Sequence, residues 1–351
     1  MLLKYSSRNK NSAASAANSR YPYTYARTAV LRSRLIDKQD YSKLLKMGLN
    51  EIASYLESTE YKKEIDELAL SYKGQILLEI ALNKNLANTF SKLRRISTPQ
   101  LRALLDLYLV RVHISNVKTI IRGKFTKEEE KEIIGMMSPL DEESAAKLAK
   151  KQTIEEVLLE SKILTNQQYK EAIESFKQSG TLTEIENKLD KSYIEETLNL
   201  AEELPRQSKL KQFITEEIKA RNILNILRFR REGFEKKEII KNIFGISPLL
   251  RRLIDASKEE SAAIIDSEYG EDAKKGTTEL AKSGNISQLE LDLQKKLLKM
   301  ALRMQKLKPL VADSILGYMF AKEIEVRNIK MIVKGKQLGL ENEFIEEQLI
   351  I

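Results

Sequence analysis

The chain has 351 residues, 32% of them charged, and a formal net charge of +9. It contains no cysteine, which excludes disulfide frameworks, thiol catalysis and cysteine-ligated zinc sites. Glycine and proline are scarce, at 13 and 6 residues, and no apolar run approaches the ~18 residues that a membrane-spanning helix requires. We therefore expect an almost purely helical protein of two or three domains.

The first predicted element, residues 1–20, differs in composition from everything that follows. It is rich in serine, asparagine and alanine, and it carries four basic residues and no acidic one. This composition predicts a disordered basic extension, and its apolar start is too short for a secretory signal. The other 331 residues hold only +5 of the net charge of +9, with acidic and basic residues interleaved. That excess is too small to predict a nucleic-acid-binding stripe.

Helical periodicity begins at about Tyr21. Residues 23–36 place apolar side chains on one face and end with Arg32 and Arg34. Further along, Thr98 is suited to an N-cap, and the proline after it is suited to the first helical position. These two residues predict a long helix that runs to about Lys124. A length of ~38 Å at 1.5 Å per residue suggests a structural strut.

Four kinds of marker indicate one helical unit written three times, about 106 residues apart. The markers are a proline (Pro99, Pro205, Pro309), an asparagine (Asn116, Asn222, Asn328), a basic pair six and eight residues after it (Arg122 and Lys124, Arg228 and Arg230, Lys334 and Lys336) and a Glu-x-x-Leu-x-Lys motif that begins at Glu79, Glu186 and Glu290. Their common register predicts helical repeats at residues 21–125, 126–231 and 232–351. Because Arg32 and Arg34 match the basic pairs, we expect the two terminal segments to be equivalent to one another across the repeat.

Alignment on the asparagine also brings apolar positions into step. They are Ile114, Val117, Ile120 and Ile121, then Ala220, Ile223, Ile226 and Leu227, then Val326, Ile329, Ile332 and Val333. Spacings of three and four residues place each set on one face of a helix. The sequence therefore predicts a long helix in each repeat whose apolar stripe packs against another element.

The polar markers allow two interpretations each. The asparagines are either three equivalent ligand contacts or polar residues at the margin of the stripe that bond a neighbouring helix. The basic pairs either hold an anionic partner or cap the ends of their helices. Sequence spacing favours the structural interpretation for the asparagines and leaves both open for the basic pairs.

Residues that could carry catalysis are scarce. His113 is the only histidine, and because Lys219 and Glu325 occupy the same place in the other repeats we expect an incidental, partly exposed side chain. No pattern predicts a metal site. The dipeptides at Gly123 and Gly335, each followed by lysine, resemble the end of a phosphate loop but lack its upstream glycine and its hydroxyl residue. We therefore predict no catalytic, cofactor or metal site.

Two segments resemble a known family. Residues 308–340, KPLVADSILGYMFAKEIEVRNIKMIVKGKQLGL, are similar to the C-terminal signature of the C subunit of archaeal A-type and V-type rotary ATPases, whose eukaryotic counterpart is the d subunit. The most specific part is residues 321–329 followed by Lys334-Gly335-Lys336. Residues 23–35, YTYARTAVLRSRL, resemble the family's opening helix. The resemblance extends from about Tyr21 to the end of the sequence.

This resemblance implies an all-α fold of three similar helical domains in a pseudo-threefold funnel. In the family, the funnel lies on the cytoplasmic face of the membrane, on the proteolipid (c/K) ring, and receives the foot of the central stalk, which is made of the D and F subunits. It transmits torque that couples proton or other ion flow to ATP synthesis or hydrolysis, and it acts on the catalytic A and B subunits only indirectly. The family's protein is itself non-catalytic, peripheral to the membrane and without a cofactor.

The repeated basic positions are then candidates for a docking rim, formed by Arg122, Lys124, Arg228, Arg230, Lys334 and Lys336. The alternative from another class is a basic helical-repeat protein that binds nucleic acid. The small charge of residues 21–351, the absence of tryptophan and the lack of aromatic–basic interleaving disfavour it. An unrecognised enzyme is a third alternative. We predict a rotor subunit with no nucleic-acid partner.

Overall fold

The computed structural model describes residues 20–138, 140, 142–203, 208–245, 247–304 and 310–351. Most of the predicted basic extension, together with Pro139, Pro205 and Pro309, lies outside these residues. Helices make up 80% of the structure, and the described residues contain no strand. The all-α prediction is confirmed, whereas the three domain boundaries and the funnel remain predictions.

Helices follow one another along the described chain with short connections. They are α1 (Pro22–Arg32), α2 (Lys38–Leu44), α3 (Leu49–Leu56), α4 (Lys62–Leu68), α5 (Gly74–Ile96), α6 (Pro99–Thr126), α7 (Glu130–Met136), α8 (Glu142–Ala149), α9 (Ile154–Ser161), α10 (Asn166–Ser179), α11 (Thr183–Glu203), α12 (Lys209–Arg231), α13 (Lys236–Lys241), α14 (Pro248–Asp255), α15 (Lys258–Tyr269), α16 (Lys274–Ser283), α17 (Ser287–Met304), α18 (Ala312–Gln337) and α19 (Asn342–Gln348). A 3₁₀ turn, Gly270–Ala273, joins α15 to α16.

Two of the long helices, α6 and α12, begin at side-chain caps. Thr98 Oγ1 accepts a hydrogen bond from the Leu101 N–H at 3.4 Å, and Pro99 occupies the first turn of α6. Ser208 caps α12 in the same way through the Lys211 N–H at 3.3 Å. Each side-chain cap satisfies a backbone donor that the helix leaves without a partner. At 28 residues, α6 is ~42 Å long.

The chain divides into two compact units. The first unit comprises the described residues up to 193 and those from 304 onward, and the second unit comprises 194–303. In the first unit, α18 packs against α1, α3, α5 and α19, while α6 packs against α7, α8 and α9. In the second unit, α12 packs against α13 and α14, and α15 packs against α14 and α16.

The predicted apolar stripes form the cores of these units. All 12 stripe positions are buried, with exposures between 0% and 7%. In the first unit the stripe of α18 belongs to the same core as the buried leucines of α5, among them Leu78 and Leu82. In the second unit Ile223 and Ile226 of α12 join Leu253 and Ile265 in one cluster. Each fully buried aliphatic side chain contributes about 1.5–3 kcal/mol relative to exposure, so each stripe contributes several kcal/mol to the stability of its unit.

Candidate functional site

The three repeated asparagines make one contact three times. Each is 1% exposed, its Nδ2 donates to the carbonyl oxygen of the residue 22 positions later, and its Oδ1 accepts from the N–H of that same residue. The pairs, with these two distances, are Asn116 with Ser138 (3.1 and 2.7 Å), Asn222 with Phe244 (2.6 and 3.0 Å) and Asn328 with Ile350 (2.7 and 3.1 Å). We call this contact the asparagine clamp. It ties the backbone that follows each short helix to the long helix, whereas the sequence interpretation favoured a bond between neighbouring helices.

Two glycines bring the short helices close to the long ones. A Cβ on Gly123 would lie 2.4 Å from Ile133 Cγ1, and a Cβ on Gly335 would lie 2.6 Å from Ile345 Cγ1. Because such distances are impossible for real atoms, α7 and α19 pack directly on the backbones of α6 and α18 at these points. The corresponding position in α12 is Phe229. The glycine-lysine dipeptides therefore lie in the last turns of packed helices.

The first residue of two basic pairs bonds the glutamate of a repeated motif. Arg122 donates to both carboxylate oxygens of Glu186 at 2.6 and 2.5 Å, and Arg228 Nη2 lies 2.6 Å from Glu290 Oε2. The hydrogen bonds to Glu186 raise the pKa of the Arg122 guanidinium. Two kinds of sequence marker, more than 60 residues apart, thus meet in the fold.

The remaining motif glutamate, Glu79, lies near Lys330 of α18, four positions before Lys334. Burial lowers the pKa of Lys330, and the nearby Glu79 carboxylate opposes this shift. Lys334 is exposed, and its side chain makes no hydrogen bond or ion pair with any residue that the structure describes. Among the six candidate docking residues, Lys334 is therefore the one whose charge the described fold does not use.

The second residue of each basic pair bonds a short helix that lies one or two helices further along the chain. Lys124 Nζ donates to the carbonyl oxygen of Ala149 at 2.9 Å, and Lys336 Nζ donates to Asn342 Oδ1 at 2.7 Å. Arg230 Nη1 donates to the Leu253 carbonyl at 3.0 Å. Cations near the carbonyl end of a helix are favoured by its dipole. Each of these residues therefore fastens a later short helix, in addition to lying in the last turn of its own long helix.

A buried ion pair lies in the middle of α18. Lys322 and Glu325 are each 3% exposed, and Lys322 Nζ lies 2.7 Å from Glu325 Oε1. The same oxygen accepts from the Tyr61 hydroxyl at 2.6 Å, and Glu325 Oε2 accepts from the Ile36 N–H at 2.5 Å. Lys322 also sits 4.0 Å from the centre of the Tyr61 ring. Burial raises the pKa of the Tyr61 hydroxyl well above its usual range, and the Glu325 charge adds to this effect.

The second unit has the corresponding pair with its charges exchanged. Glu216 and Lys219 occupy the positions of Lys322 and Glu325, with Lys219 Nζ 3.0 Å from Glu216 and 2.6 Å from Glu268. Burial lowers the pKa of Lys219, but its hydrogen bonds to Glu268 and Glu216 raise it overall. Lys296 lies 4.0 Å from the centre of the Tyr269 ring. Each pair therefore combines an ion pair with a tyrosine, although the order of the charges differs.

The corresponding positions in α6 cannot form such a pair with each other, because one of them is apolar. Val110 and His113 occupy the two positions in α6, and both side chains are buried. The expectation of a partly exposed histidine was therefore wrong, because the stripe of α6 is wide enough to include it.

Within the part of the chain that the structure describes, no three or more histidine, aspartate or glutamate side chains are grouped so as to hold a metal ion.

Comparison with known proteins decides the family. Residues 24–348 match the family model described as ATP synthase (C/AC39) subunit. The chain belongs to this family. The resemblance inferred from residues 23–35 and 308–340 is thereby confirmed, and the family match covers both segments almost completely.

Relatives of the C/AC39 family match the chain from end to end. The C subunit of the A-type ATP synthase of Methanosarcina mazei is 31% identical, with 95% of this chain and 94% of the relative covered. The equivalent protein of Methanococcoides burtonii is 32% identical, with 100% and 99% covered. That of Haloferax volcanii is 31% identical, with 94% and 97% covered.

One further feature of this C/AC39 chain is a protonatable contact between α6 and α18. The Tyr108 hydroxyl donates to Glu323. The Tyr108 ring packs edge-on against Phe320, with 5.0 Å between centroids, and lies tilted against Phe90 at 5.8 Å. Burial raises the pKa of the Glu323 carboxyl to about 7, with Arg327 opposing the shift.

Among the described helices, none has the length and apolarity of a membrane span.

Proposed function

We propose that this chain is the non-catalytic adaptor of the central rotor in an A/V-type ATP synthase. It links the D and F subunits of the central stalk to the membrane proteolipid ring and transmits the torque that couples ion flow to ATP synthesis or hydrolysis. The end-to-end match to C subunits of A-type ATP synthases supports this proposal. The chain acts on the catalytic A and B subunits indirectly, from a peripheral position on the cytoplasmic face of the membrane.

The rigidity of the long helices supports a role in torque transmission. A part that transmits torque must resist bending, and closely packed interiors have low compressibility. In this chain α6, α12 and α18 each carry a fully buried apolar stripe and an asparagine clamp. The clamps fasten the short helices to the long ones, so that each long helix moves as one piece with its short helix.

The hydrogen bonds of the buried polar side chains support a non-catalytic role. A catalytic group must reach a substrate, and general acids and bases must lie within hydrogen-bond reach of the reacting atoms. Here the buried Glu325 and Lys322 bond to each other and to Tyr61. The buried Asn328 bonds the backbone. These side chains stabilise the fold and are withdrawn from solvent.

Lys334 is the basic residue through which docking on the predicted rim is best tested. Its side chain is exposed, so the variant Lys334→Glu should fold normally and weaken assembly with an acidic partner surface about tenfold or less. Lys127→Glu, a reversal at an exposed lysine outside the six candidates, is the matched control. Equal assembly of the two variants would remove Lys334 from the docking rim.

The adaptor role is tested by recovering the intact complex. Tagged full-length protein is isolated from native membranes in a gentle detergent, and the bound proteins are identified by mass spectrometry. Recovery of the proteolipid together with the stalk and catalytic subunits is the expected result. Recovery of nucleic acid alone, or of soluble proteins alone, would contradict the proposal and favour the nucleic-acid-binding alternative.

A further inference from the structure

Exposed apolar side chains concentrate at one corner of the first unit. Of the 13 large apolar side chains exposed among the described residues, six lie between the end of α4 and the first turn of α5, or between the end of α18 and the first turn of α19. They are Leu70, Tyr72, Ile76, Leu338, Leu340 and Phe344, and we call them the corner surface. Leu70 is 96% exposed. Single exposed apolar residues need no explanation, but a concentration of them marks an interaction site.

The two parts of the corner surface lie at the same end of an antiparallel helix pair. The Tyr21 N–H donates to the Leu310 carbonyl at 2.7 Å, just before α18 begins. One turn later, Thr24 Oγ1 donates at 3.0 Å to the carbonyl of Ile96, where α5 ends. The start of α18 is therefore beside the end of α5. Because α5 packs against α18 and Glu79, near the start of α5, lies close enough to Lys330, near the end of α18, to affect its pKa, the end of α18 lies beside the start of α5.

The backbone that carries these side chains is firmly held. The Leu340 N–H donates to the Gly335 carbonyl at 2.9 Å, and Lys336 bonds Asn342. The clamp at Asn328 ties the chain after α19 to α18. Leu338, Leu340 and Phe344 are consequently exposed on an ordered framework and do not need to be reorganised before they bind. Such preorganisation reduces the entropic cost of association.

Charge indicates what kind of partner fits. Residues 338–351 contain four glutamates, Glu341, Glu343, Glu346 and Glu347, all exposed, and no lysine or arginine. The corresponding short helix of the second unit, α13, has the sequence KKEIIK and is basic. The four glutamates form an acidic border on the α19 side of the apolar anchors, whereas the exposed Lys334 lies one turn before Leu338 at the end of α18. The α19 side therefore favours a partner with an apolar stripe flanked by basic residues, because complementary charge raises the association rate and rejects acidic competitors.

We propose that the corner surface is the seat of a basic amphipathic helix from another subunit of the rotary complex. This inference rests on the proposed adaptor function. The partner's apolar stripe contacts Leu338, Leu340 and Phe344, and its lysine or arginine side chains face the glutamates of α19. The interaction follows the general pattern of an amphipathic helix lying on an apolar surface.

The test is a photocrosslink from the corner surface in the assembled complex. Phe344 is replaced by a photoreactive phenylalanine analogue in the full-length tagged chain, the complex is isolated in the same gentle detergent, and the crosslinked peptide is sequenced. Leu159, which is also exposed in the first unit, is replaced in a control. The expected product joins position 344 to a helical segment of another subunit that has apolar residues flanked by lysine or arginine.

Four outcomes would overturn the inference. Position 344 could crosslink to an acidic segment, to a second copy of this chain or to the chain's own residues 1–19, or it could give no crosslink although the complex is otherwise intact. Failure of the unsubstituted chain to recover any rotary subunit would instead contradict the adaptor function, and the inference with it. The two failures are therefore distinguishable in one preparation.

A second variant measures the contribution of the surface to assembly. Leu338→Ser combined with Phe344→Ser should lower the recovery of partner subunits about tenfold or more, since central apolar anchors dominate interface energies. Val30→Ser combined with Leu159→Ser, at two similarly exposed positions of the first unit, should leave it unchanged. Replacing the four glutamates by glutamine should weaken assembly and remove its dependence on salt. Equal recovery from the two serine pairs would refute the proposal.

Discussion

Removal of the Glu325 carboxylate tests how much the buried ion pair of α18 contributes to the stability of the first unit. This side chain accepts hydrogen bonds from Lys322, from the Tyr61 hydroxyl and from the Ile36 N–H, all inside the first unit. These donors come from parts of the chain up to 289 residues away. The variant Glu325→Ala leaves all three donors without their acceptor and one of them charged.

The expected cost follows from what is left behind. Removing one partner of a buried ion pair typically costs about 3–5 kcal/mol, because the other charge stays buried without compensation. An unsatisfied buried donor costs about 1–3 kcal/mol, and part of this is already included in the first figure. We therefore expect Glu325→Ala to destabilise the first unit by about 4 kcal/mol. The double variant with Lys322→Met should recover about half of this loss, because no charge is then buried.

The assay combines urea denaturation with amide hydrogen exchange. The variant should unfold at a lower urea concentration, and the Ile36 N–H should lose its protection while the amides of the second unit keep theirs. Glu216→Ala is the matched control. Its partner Lys219 keeps Glu268 at 2.6 Å, so we expect a loss of about 1 kcal/mol. A loss for Glu325→Ala no larger than this, or an unchanged exchange rate at Ile36, would refute the reasoning.

Three further substitutions test other contacts. Asn222→Leu removes both bonds of its clamp and should destabilise the second unit by about 2 kcal/mol, as measured by urea denaturation. Gly335→Ala forces a Cβ to within 2.6 Å of Ile345 and should cost about 1–3 kcal/mol, whereas Gly135→Ala, where no atom lies within 4 Å, should stabilise by about 0.5 kcal/mol. Glu323 has a pKa of about 7 in the folded chain, above the ordinary 4.5, so its stabilising effect is complete below pH 4.5 and is lost as the pH rises through 7. In urea denaturation, Glu323→Gln should therefore match the unsubstituted chain at about pH 4 and exceed its stability at about pH 8 by about 1–3 kcal/mol.

Each of these predictions has an opposite outcome. An Asn222→Leu variant as stable as the unsubstituted chain would show that the two hydrogen bonds of the clamp make no net contribution to the free energy of unfolding. Equal effects of alanine at positions 335 and 135 would contradict the close approach of α19 to α18. A Glu323→Gln variant whose stability differs from that of the unsubstituted chain by the same amount at both pH values would exclude a raised pKa.

Much of the fold could be predicted from the sequence because its signals are local. The stripe residues of each repeat fall within eight consecutive positions, and all of them are buried. Thr98 and Pro99 predicted the start of α6 from two adjacent residues. The family signature at residues 321–329 is likewise a continuous segment. Helical periodicity and capping depend on neighbours in the chain, so a single sequence is sufficient to read them.

The candidate site was harder to predict, because its contacts join distant parts of the chain. The sequence identified Asn328 and Lys336 as repeated residues but not their partners, Ile350 and Asn342. The burial of Lys322 and Glu325 was missed, although a lysine and a glutamate three positions apart within an apolar helix are a usable signal. The closest partners of Glu325 outside its own helix are more than 260 residues away.

The sequence by itself determined that this protein is helical and that it belongs with rotary ATPase subunits, and it predicted a unit repeated three times, since these signals lie in residue spacing and in continuous motifs. Only the tertiary structure decided that the asparagines are clamps, that most residues of the basic pairs are bonded within the fold, and that Lys334 and the corner surface stay exposed. The reason is physical. Whether a polar or apolar side chain is satisfied within the chain depends on which distant segments fold against it, and local sequence carries no record of that.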